Sequence, residues 1–111
     1  EEYHHRHKHG NSLISGVYYI DVDDKNDKIN FYKNSSYEQI TLEIEENKFN
    51  EFNSTSWWLP VKTGELLLFP SSLEHGVEFV KSKKTRISLA FNVFIKGILG
   101  NNERKTELDM L

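Results

Sequence analysis

The sequence predicts an all-β protein, a sandwich or barrel of antiparallel strands, and three observations support this fold class. Aromatic residues make up 13% of the 111 residues, with seven Phe and five Tyr, and such side chains favour strands over helices. Roughly six or seven short apolar or alternating segments follow one another at spacings of about ten residues. Clusters of Asp, Asn, Ser, Gly and Pro, which favour turns, separate these segments.

The first two strands are predicted at residues 13–22 and 28–32. Residues 13–22 are apolar, aromatic and β-branched, as expected for a buried strand. Residues 28–32 alternate polar and apolar side chains, as a half-buried strand does. The intervening residues 23–27 are Asp, Lys and Asn, which favour a turn, so the pattern predicts a β-hairpin over residues 13–32.

The middle of the chain contains three further predicted elements. Residues 39–45 alternate apolar side chains with Thr and Glu, which predicts a strand. Residues 47–56 are rich in Asn, Ser and Thr and predict a loop. Residues 57–61 resume an ordered segment whose proline favours a sheet edge. A turn at 62–64 then leads into a predicted strand over 65–69.

The last third of the chain predicts two strands and a tail. The strands are predicted over residues 73–80 and 85–95, joined by a charged turn at 81–84. The tail, residues 97–111, is polar with scattered Leu and Met, and we expect it to be irregular or a short helix. The length of the chain predicts a single domain over residues 1–111.

The composition argues against several classes of function. A net charge of −3 without a basic stripe gives no support for nucleic-acid binding. The absence of cysteine excludes disulfides, thiolate metal sites and cysteine nucleophiles. The longest apolar run, Leu66–Pro70, is far too short to cross a bilayer, and no signal-peptide segment precedes it. We therefore expect no membrane partner and a cytoplasmic location.

Four of the five histidines lie within the first nine residues, which suggests a metal site. His7 and His9 are two positions apart, so on a strand both imidazoles point the same way and reach one ion. His5 shares this parity and could compete for the ion. Imidazole nitrogen suits borderline ions such as Fe(II). The alternative is a disordered metal-binding tail or an expression tag, although the run is interrupted by Arg and Lys and leads into a core strand.

A histidine and an arginine further along the chain strengthen the case for a site. His75 stands alone, and a single strand histidine is more often a hydrogen-bonded core residue than a ligand. Arg86 lies in an otherwise apolar strand, where parity places Arg86, Ser88 and Asn92 on one face. A buried guanidinium requires an anion, and its planar fork pairs bidentately with a carboxylate. An ion pair with a Glu of the chain, or exposure at the strand end, is the alternative.

Taken in order and spacing, these motifs resemble a known family, the 2-oxoglutarate/Fe(II)-dependent oxygenases, in particular those of marine bacteria and their phages. The resemblance extends over about residues 7–100, and it depends on the combination because each motif is weak alone. The motifs are HxH at His7 and His9, SGVYYI at 15–20, GELLLFPSSLEHGV at 64–77, RIS at 86–88 and FN at 91–92.

The resemblance implies a double-stranded β-helix, the jelly roll of cupin-like proteins, whose mouth holds Fe(II) and the cosubstrate 2-oxoglutarate. By position it implies one set of metal ligands and one set of cosubstrate contacts. The implied metal ligands are His7, His9 and His75, and the implied 2-oxoglutarate-binding residues are Arg86, Ser88 and Tyr19. Most such oxygenases have HxD or HxE, so His9 replaces the usual carboxylate and would leave more positive charge on the ion.

The resemblance further implies an oxygenase, most simply a hydroxylase that couples decarboxylation of 2-oxoglutarate to oxidation of a substrate. Asn92, Trp57 and Trp58 are predicted to line the substrate side, although core packing is the commoner role of tryptophan. The substrate, a small molecule or a protein side chain, is not specified. If the protein is phage-encoded, the expected location is the host cytoplasm.

Family members also carry a region before the HxH strand, so the chain is expected to be an amino-terminally truncated member with an open sheet edge, which a homodimer could cover. Two alternative functions stay open. One is a cupin-like metal-dependent dioxygenase without 2-oxoglutarate, in which Arg86 would pair with a protein carboxylate. The other is a non-enzymatic jelly-roll binding module, in which the histidines would face solvent and not converge.

Overall fold

A computed structural model of the protein describes residues 4–33, 43–78 and 84–110. Within these ranges the chain forms nine β-strands and one short 3-10 helix at Glu46–Lys48, which confirms the predicted all-β class. The strands are β1 His4–His7, β2 Ile14–Asp21, β3 Lys28–Tyr32, β4 Ser56–Pro60, β5 Leu66–Pro70, β6 Glu74–Val77, β7 Ile87–Val93, β8 Gly97–Leu99 and β9 Leu108–Met110. In the described part of the chain, no helix is long and apolar enough to cross a membrane.

Strands β1 to β7 form two antiparallel sheets. One sheet has the order β1-β6-β3-β4 and the other the order β5-β2-β7. Along the chain every connection among these seven strands passes from one sheet to the other, except that β3 is followed by its own neighbour β4. A chain that winds between two facing antiparallel sheets in this way is consistent with the expected double-stranded β-helix.

A small apolar core joins the two sheets. Its buried members come from both sheets and from the adjoining loops, and they are Tyr19, Val22, Ile29, Val61 and Phe69. The ring of Phe31 on β3 meets the ring of Phe69 on β5 edge to face, with 5.0 Å between their centroids. This aromatic contact fixes the separation of the sheets next to the histidines described below.

The structure corrects the pairing predicted for neighbouring strands. β2 and β3 form close to where the sequence predicts strands, but they belong to different sheets, so residues 13–32 are not a hairpin. β6 and β7 likewise lie in different sheets. The reason is that turn-forming residues specify where the chain reverses, whereas the pairing partner is decided by burial. β2 lies between β5 and β7, and its sequence carries apolar side chains on both faces, as a central strand can.

Two other predicted segments have different outcomes. Of the strand predicted over residues 39–45, residues 39–42 lie outside the described part, and residues 43–45 are irregular. The tail predicted as irregular or helical instead forms a hairpin, in which β8 pairs with β9. Gly100, with a φ of 78°, follows β8 where a side chain would collide with the carbonyl of Thr106.

The outer face of the β5-β2-β7 sheet is apolar and exposed. Its side chains share one face by register and are 37–58% exposed: Ile14, Tyr18, Leu66, Leu68, Leu89, Phe91 and Val93. In the described part of the chain, β5 and β7 are the two edges of this sheet. The homodimer expected from the sequence stays a prediction.

Candidate metal centre

Three imidazoles converge at one end of β1 and β6. His7 on β1 lies directly opposite His75 on β6, and His9 follows β1 by two residues. The ring centroids are 4.5 Å apart for His7 and His75, 5.0 Å for His7 and His9, and 5.3 Å for His9 and His75. One ring nitrogen of each residue lies within 4.8 Å of the other two.

This spacing fits a single metal ion. Two nitrogen ligands bonded at about 2.1 Å can be at most about 4.2 Å apart, on opposite sides of the ion. The observed span of up to 4.8 Å differs from that limit by only a small rotation of the rings, and His7 and His9 are half-buried rather than locked in the core. A set of nitrogen donors suits a borderline ion such as Fe(II).

Backbone carbonyls orient two of the three rings. Nδ1 of His7 lies 2.6 Å from the carbonyl oxygen of His5, and Nδ1 of His75 lies 3.0 Å from that of Leu73. A carbonyl oxygen only accepts, so each Nδ1 carries the proton and Nε2 keeps a lone pair, as in metal-binding histidines. His5 supplies its carbonyl to this arrangement, while its exposed side chain is outside the cluster.

Burial keeps His75 in the form that binds metal. Its ring lies 4.6 Å from that of Phe69 and 6.4 Å from that of Phe31, and the residue is 6% exposed. This burial lowers the pKa of His75, the carbonyl of Leu73 opposes the shift, and the two other imidazoles lower it further. His75 is therefore neutral near pH 7.

The four-stranded sheet separates the two tryptophans. His75 lies opposite Phe31, which in turn lies opposite Trp57 on the next strand, so Trp57 shares the inner face about 10 Å from His75. Trp58 occupies the outer face, is 54% exposed and has the ammonium of Lys28 5.5 Å from its ring centroid. Trp57 and Trp58, both predicted to line the substrate side, therefore lie on opposite faces of the sheet, because successive strand residues point to opposite faces.

The facing sheet brings the predicted cosubstrate residues to one inner surface. Ser88 lies opposite Tyr19, and Asn92 lies opposite Ser15, so these four side chains share a face. Arg86 directly precedes β7. Burial raises the pKa of Tyr19 to about 12, and the nearby guanidinium of Arg86 is the main opposing influence. Arg86 and the Tyr19 phenol are therefore electrostatic neighbours.

Arg86 has no carboxylate partner among the described residues. The ion pairs within these ranges join other residues: Arg6 with Glu74, Lys28 with Glu78, Lys48 with Glu45, and Lys84 with Asp21. Arg86 is nevertheless half-buried. A half-buried guanidinium that lacks a protein anion can accept the carboxylate of a ligand.

Sequence reasoning missed a polar network behind His9. Nδ2 of Asn92 lies 3.4 Å from Nδ1 of His9, and Oδ1 of Asn92 accepts from the Ser15 hydroxyl at 2.7 Å. The Ser15 hydroxyl is 2.9 Å from that of Ser71, which is 2.7 Å from that of Ser12. The feature of the sequence that could have indicated this network is Ser15, a residue with a hydroxyl group within an apolar strand. Asn92, predicted to line the substrate side, thus contacts His9 of the histidine cluster.

A comparison with known families agrees with this geometry. A model described as putative 2OG-Fe(II) oxygenase matches residues 1–92 of the 111-residue chain. The chain belongs to this family. The matched region contains the three histidines, Arg86 and Asn92, and it ends before the β8-β9 hairpin. Family membership implies an iron- and 2-oxoglutarate-dependent oxidoreductase. No curated protein matches the chain.

Proposed function

We propose that the protein is a 2-oxoglutarate-dependent hydroxylase that binds Fe(II) through His7, His9 and His75. The observation that carries this proposal is the convergence of three imidazoles whose ligand atoms lie within 4.8 Å of one another. The family match supports the general chemistry. An Arg86 side chain without a described carboxylate partner supports 2-oxoglutarate as the cosubstrate.

Each residue has a distinct task in this proposal. When bound, Fe(II) and 2-oxoglutarate would supply the oxidising chemistry: one oxygen atom of O2 would be incorporated into succinate as CO2 is released, and the other into the substrate. His7 and His75 present Nε2, because their Nδ1 protons are held by backbone carbonyls. Arg86 pairs with the distal carboxylate of 2-oxoglutarate, and the hydroxyl of Ser88 adds a donor.

Tyr19 serves the same carboxylate as a neutral donor. With its pKa raised to about 12, the phenol keeps its proton throughout the physiological range. A phenolate at this place would repel the dianionic cosubstrate, whereas the protonated phenol donates a hydrogen bond to it. Tyr19 is only 3% exposed, so this donor is fixed in place by the core.

Trp57 lines the substrate side on the inner face of β4. The aromatic rings of Phe31 and Phe69 lie beside His75 and make this part of the interior apolar. We propose that the substrate, a small molecule or a protein side chain, reaches the site through this apolar part of the interior.

The cytoplasm, with its supply of 2-oxoglutarate, is the proposed location.

The two alternatives make expectations that the described residues do not meet. A cupin-like dioxygenase without 2-oxoglutarate would pair Arg86 with a protein carboxylate, and the ion pairs in the described ranges do not include Arg86. A non-enzymatic module would leave the histidines apart and facing solvent, whereas His75 is 6% exposed and the three rings are neighbours.

An anaerobic titration tests the proposal. Fe(II) is added to the protein without O2, followed by 2-oxoglutarate, and the visible absorption spectrum is recorded. Chelation of Fe(II) by the keto acid is expected to give a weak metal-to-ligand charge-transfer band. Succinate, which lacks the keto group, should give no band, and His75→Ala should abolish it. A wild-type protein that binds Fe(II) and 2-oxoglutarate without this band would contradict the proposal.

A further inference from the structure

His9 lies beyond the end of β1, so sheet pairing does not fix its position. Its backbone N–H donates to the carbonyl oxygen of Ser71 at 3.1 Å. Its ring meets the amide of Asn92, with 3.4 Å between Nδ1 and Nδ2. His7 and His75 differ in this respect, because a backbone carbonyl faces Nδ1 in both. Among the three imidazoles, His9 is the one that faces a side chain that mutation can change.

The amide of Asn92 is anchored by buried hydroxyls. Its Oδ1 accepts from Ser15 at 2.7 Å, and Ser15 lies 2.9 Å from Ser71, with these serines 2% and 0% exposed. Ser12 continues the chain of hydroxyls at 2.7 Å from Ser71. The backbone of Ser71 is fixed as well, because its N–H donates to the carbonyl of Leu13 at 3.0 Å.

We propose that Asn92, held by Ser15 and Ser71, is a positioning residue that presents Nε2 of His9 to the metal ion. This inference rests on the proposed metal site and deepens it. It places Asn92 behind the ligand, not on the substrate side of the centre.

The chemistry of the amide allows this role. When Nδ2 donates to Nδ1, His9 carries its own proton on Nε2. A half-turn of the amide puts Oδ1 against Nδ1, which then carries the proton and leaves the Nε2 lone pair for the ion. The hydroxyl of Ser15 can accept from Nδ2 as readily as it donates to Oδ1, so the network stays satisfied in both orientations. An acceptor behind a ligating imidazole is what fixes its tautomer and ring orientation.

The test compares an acceptor with an apolar side chain at position 92. Dissociation constants for Co(II) are measured without O2 by competition with a chromophoric chelator, together with the visible spectrum of bound Co(II). Asn92→Leu should weaken Co(II) binding about ten- to a hundredfold, whereas Asn92→Asp, which keeps an acceptor, should bind as tightly as wild type or tighter. Asn92→Ala serves if the leucine variant does not fold. Asn47→Leu, at an exposed position of the 3-10 helix, is the matched control.

A second measurement reads the tautomer directly. Long-range 1H–15N spectra should show the His9 proton on Nε2 in the metal-free protein and on Nδ1 in the Zn(II) complex. Ser15→Ala should weaken Co(II) binding in the same direction as Asn92→Leu, and the double variant should lose less than the product of both losses, because the two residues act in series.

Different outcomes separate this inference from the proposed function. If wild-type protein and Asn92→Leu bind Co(II) equally, or if Asn92→Asp loses as much affinity as Asn92→Leu, the positioning role is wrong while the metal site stands. If wild type and His75→Ala both fail to bind Co(II), the metal site itself is wrong and the inference falls with it.

Discussion

Replacement of Arg86 by leucine is expected to remove the affinity for 2-oxoglutarate while leaving the fold intact. A bidentate guanidinium–carboxylate pair contains two charge-assisted hydrogen bonds, each contributing about 1.5–3 kcal/mol. Their loss corresponds to about 3 kcal/mol or more, which is about a hundredfold or more in dissociation constant. Arg86→Lys keeps the charge but loses the fork, so we expect a smaller loss of about tenfold.

The free energy of unfolding of the Arg86→Leu variant independently tests whether Arg86 pairs with a carboxylate of the protein. Arg86 makes no ion pair among the described residues, so the leucine variant leaves no described carboxylate without its ion-pair partner. The free energy of unfolding should therefore change by no more than about 1 kcal/mol. If Arg86 instead balanced a buried protein carboxylate, as in the alternative without 2-oxoglutarate, its removal would destabilise the protein by about 3–5 kcal/mol.

The assay is anaerobic calorimetric titration of the Fe(II)-loaded protein with two keto acids. 2-Oxoglutarate carries the distal carboxylate, and 2-oxopentanoate has the same chain length without it. Wild type should prefer 2-oxoglutarate by about a hundredfold, and Arg86→Leu should bind both alike. Arg104→Leu, in the exposed tail hairpin region, is the control and should retain the preference. An Arg86→Leu protein that still prefers 2-oxoglutarate would refute the assigned role.

The remaining predictions concern a tight strand contact and a buried phenol. A Cβ at Gly76 would lie 3.2 Å from Cα of Arg6, so Gly76→Ala should push β1 and its His7 outward and weaken Co(II) binding roughly tenfold. Gly10→Ala, whose Cβ would meet nothing within 4 Å, should have no such effect, and equal affinities for both variants would contradict the prediction. The pKa of Tyr19 is about 12 in the folded protein, compared with an ordinary value of 10.0 for the unfolded chain. As the pH rises, the phenol therefore ionises first in the unfolded state, and the stabilisation that is present below pH 10 is lost between pH 10 and pH 12. The free energy of unfolding, measured in urea at pH 10 and pH 12, should fall by roughly 2–3 kcal/mol less for Tyr19→Phe than for wild type. Equal decreases for the two proteins would show that the pKa of Tyr19 is not raised in the folded state.

The strands were largely predictable from the sequence, whereas their partners were not. Period-two alternation placed β3 at Lys28–Tyr32, and the run of apolar, aromatic and β-branched residues placed β2 within a residue of its ends. The hairpin predicted over residues 13–32 was wrong because the same turn-forming residues occur between paired strands of one sheet and between strands of different sheets. That choice depends on long-range burial, such as the contact of Phe31 with Phe69, which local sequence does not contain.

Side-chain parity predicted part of the site for a clear physical reason. The shared face of Ser88 and Asn92 follows from the alternation of strand β7, whereas His9 lies two residues beyond the end of β1 and meets His7 outside the strand. The register that sets His7 opposite His75 joins β1 to β6, and such pairing is not encoded by either segment alone. The network through Ser71 was missed for the same reason, since its partners Ser12 and Ser15 are 59 and 56 residues away in the chain.

The most direct test of the metal centre is an anomalous diffraction measurement on crystals grown anaerobically with Fe(II), at wavelengths on either side of the iron absorption edge. We expect a single anomalous peak about 2.1 Å from one nitrogen each of His7, His9 and His75. A peak bound by other residues, or the absence of any peak among these three imidazoles in crystals whose iron content is confirmed, would show that the three histidines do not form the iron site.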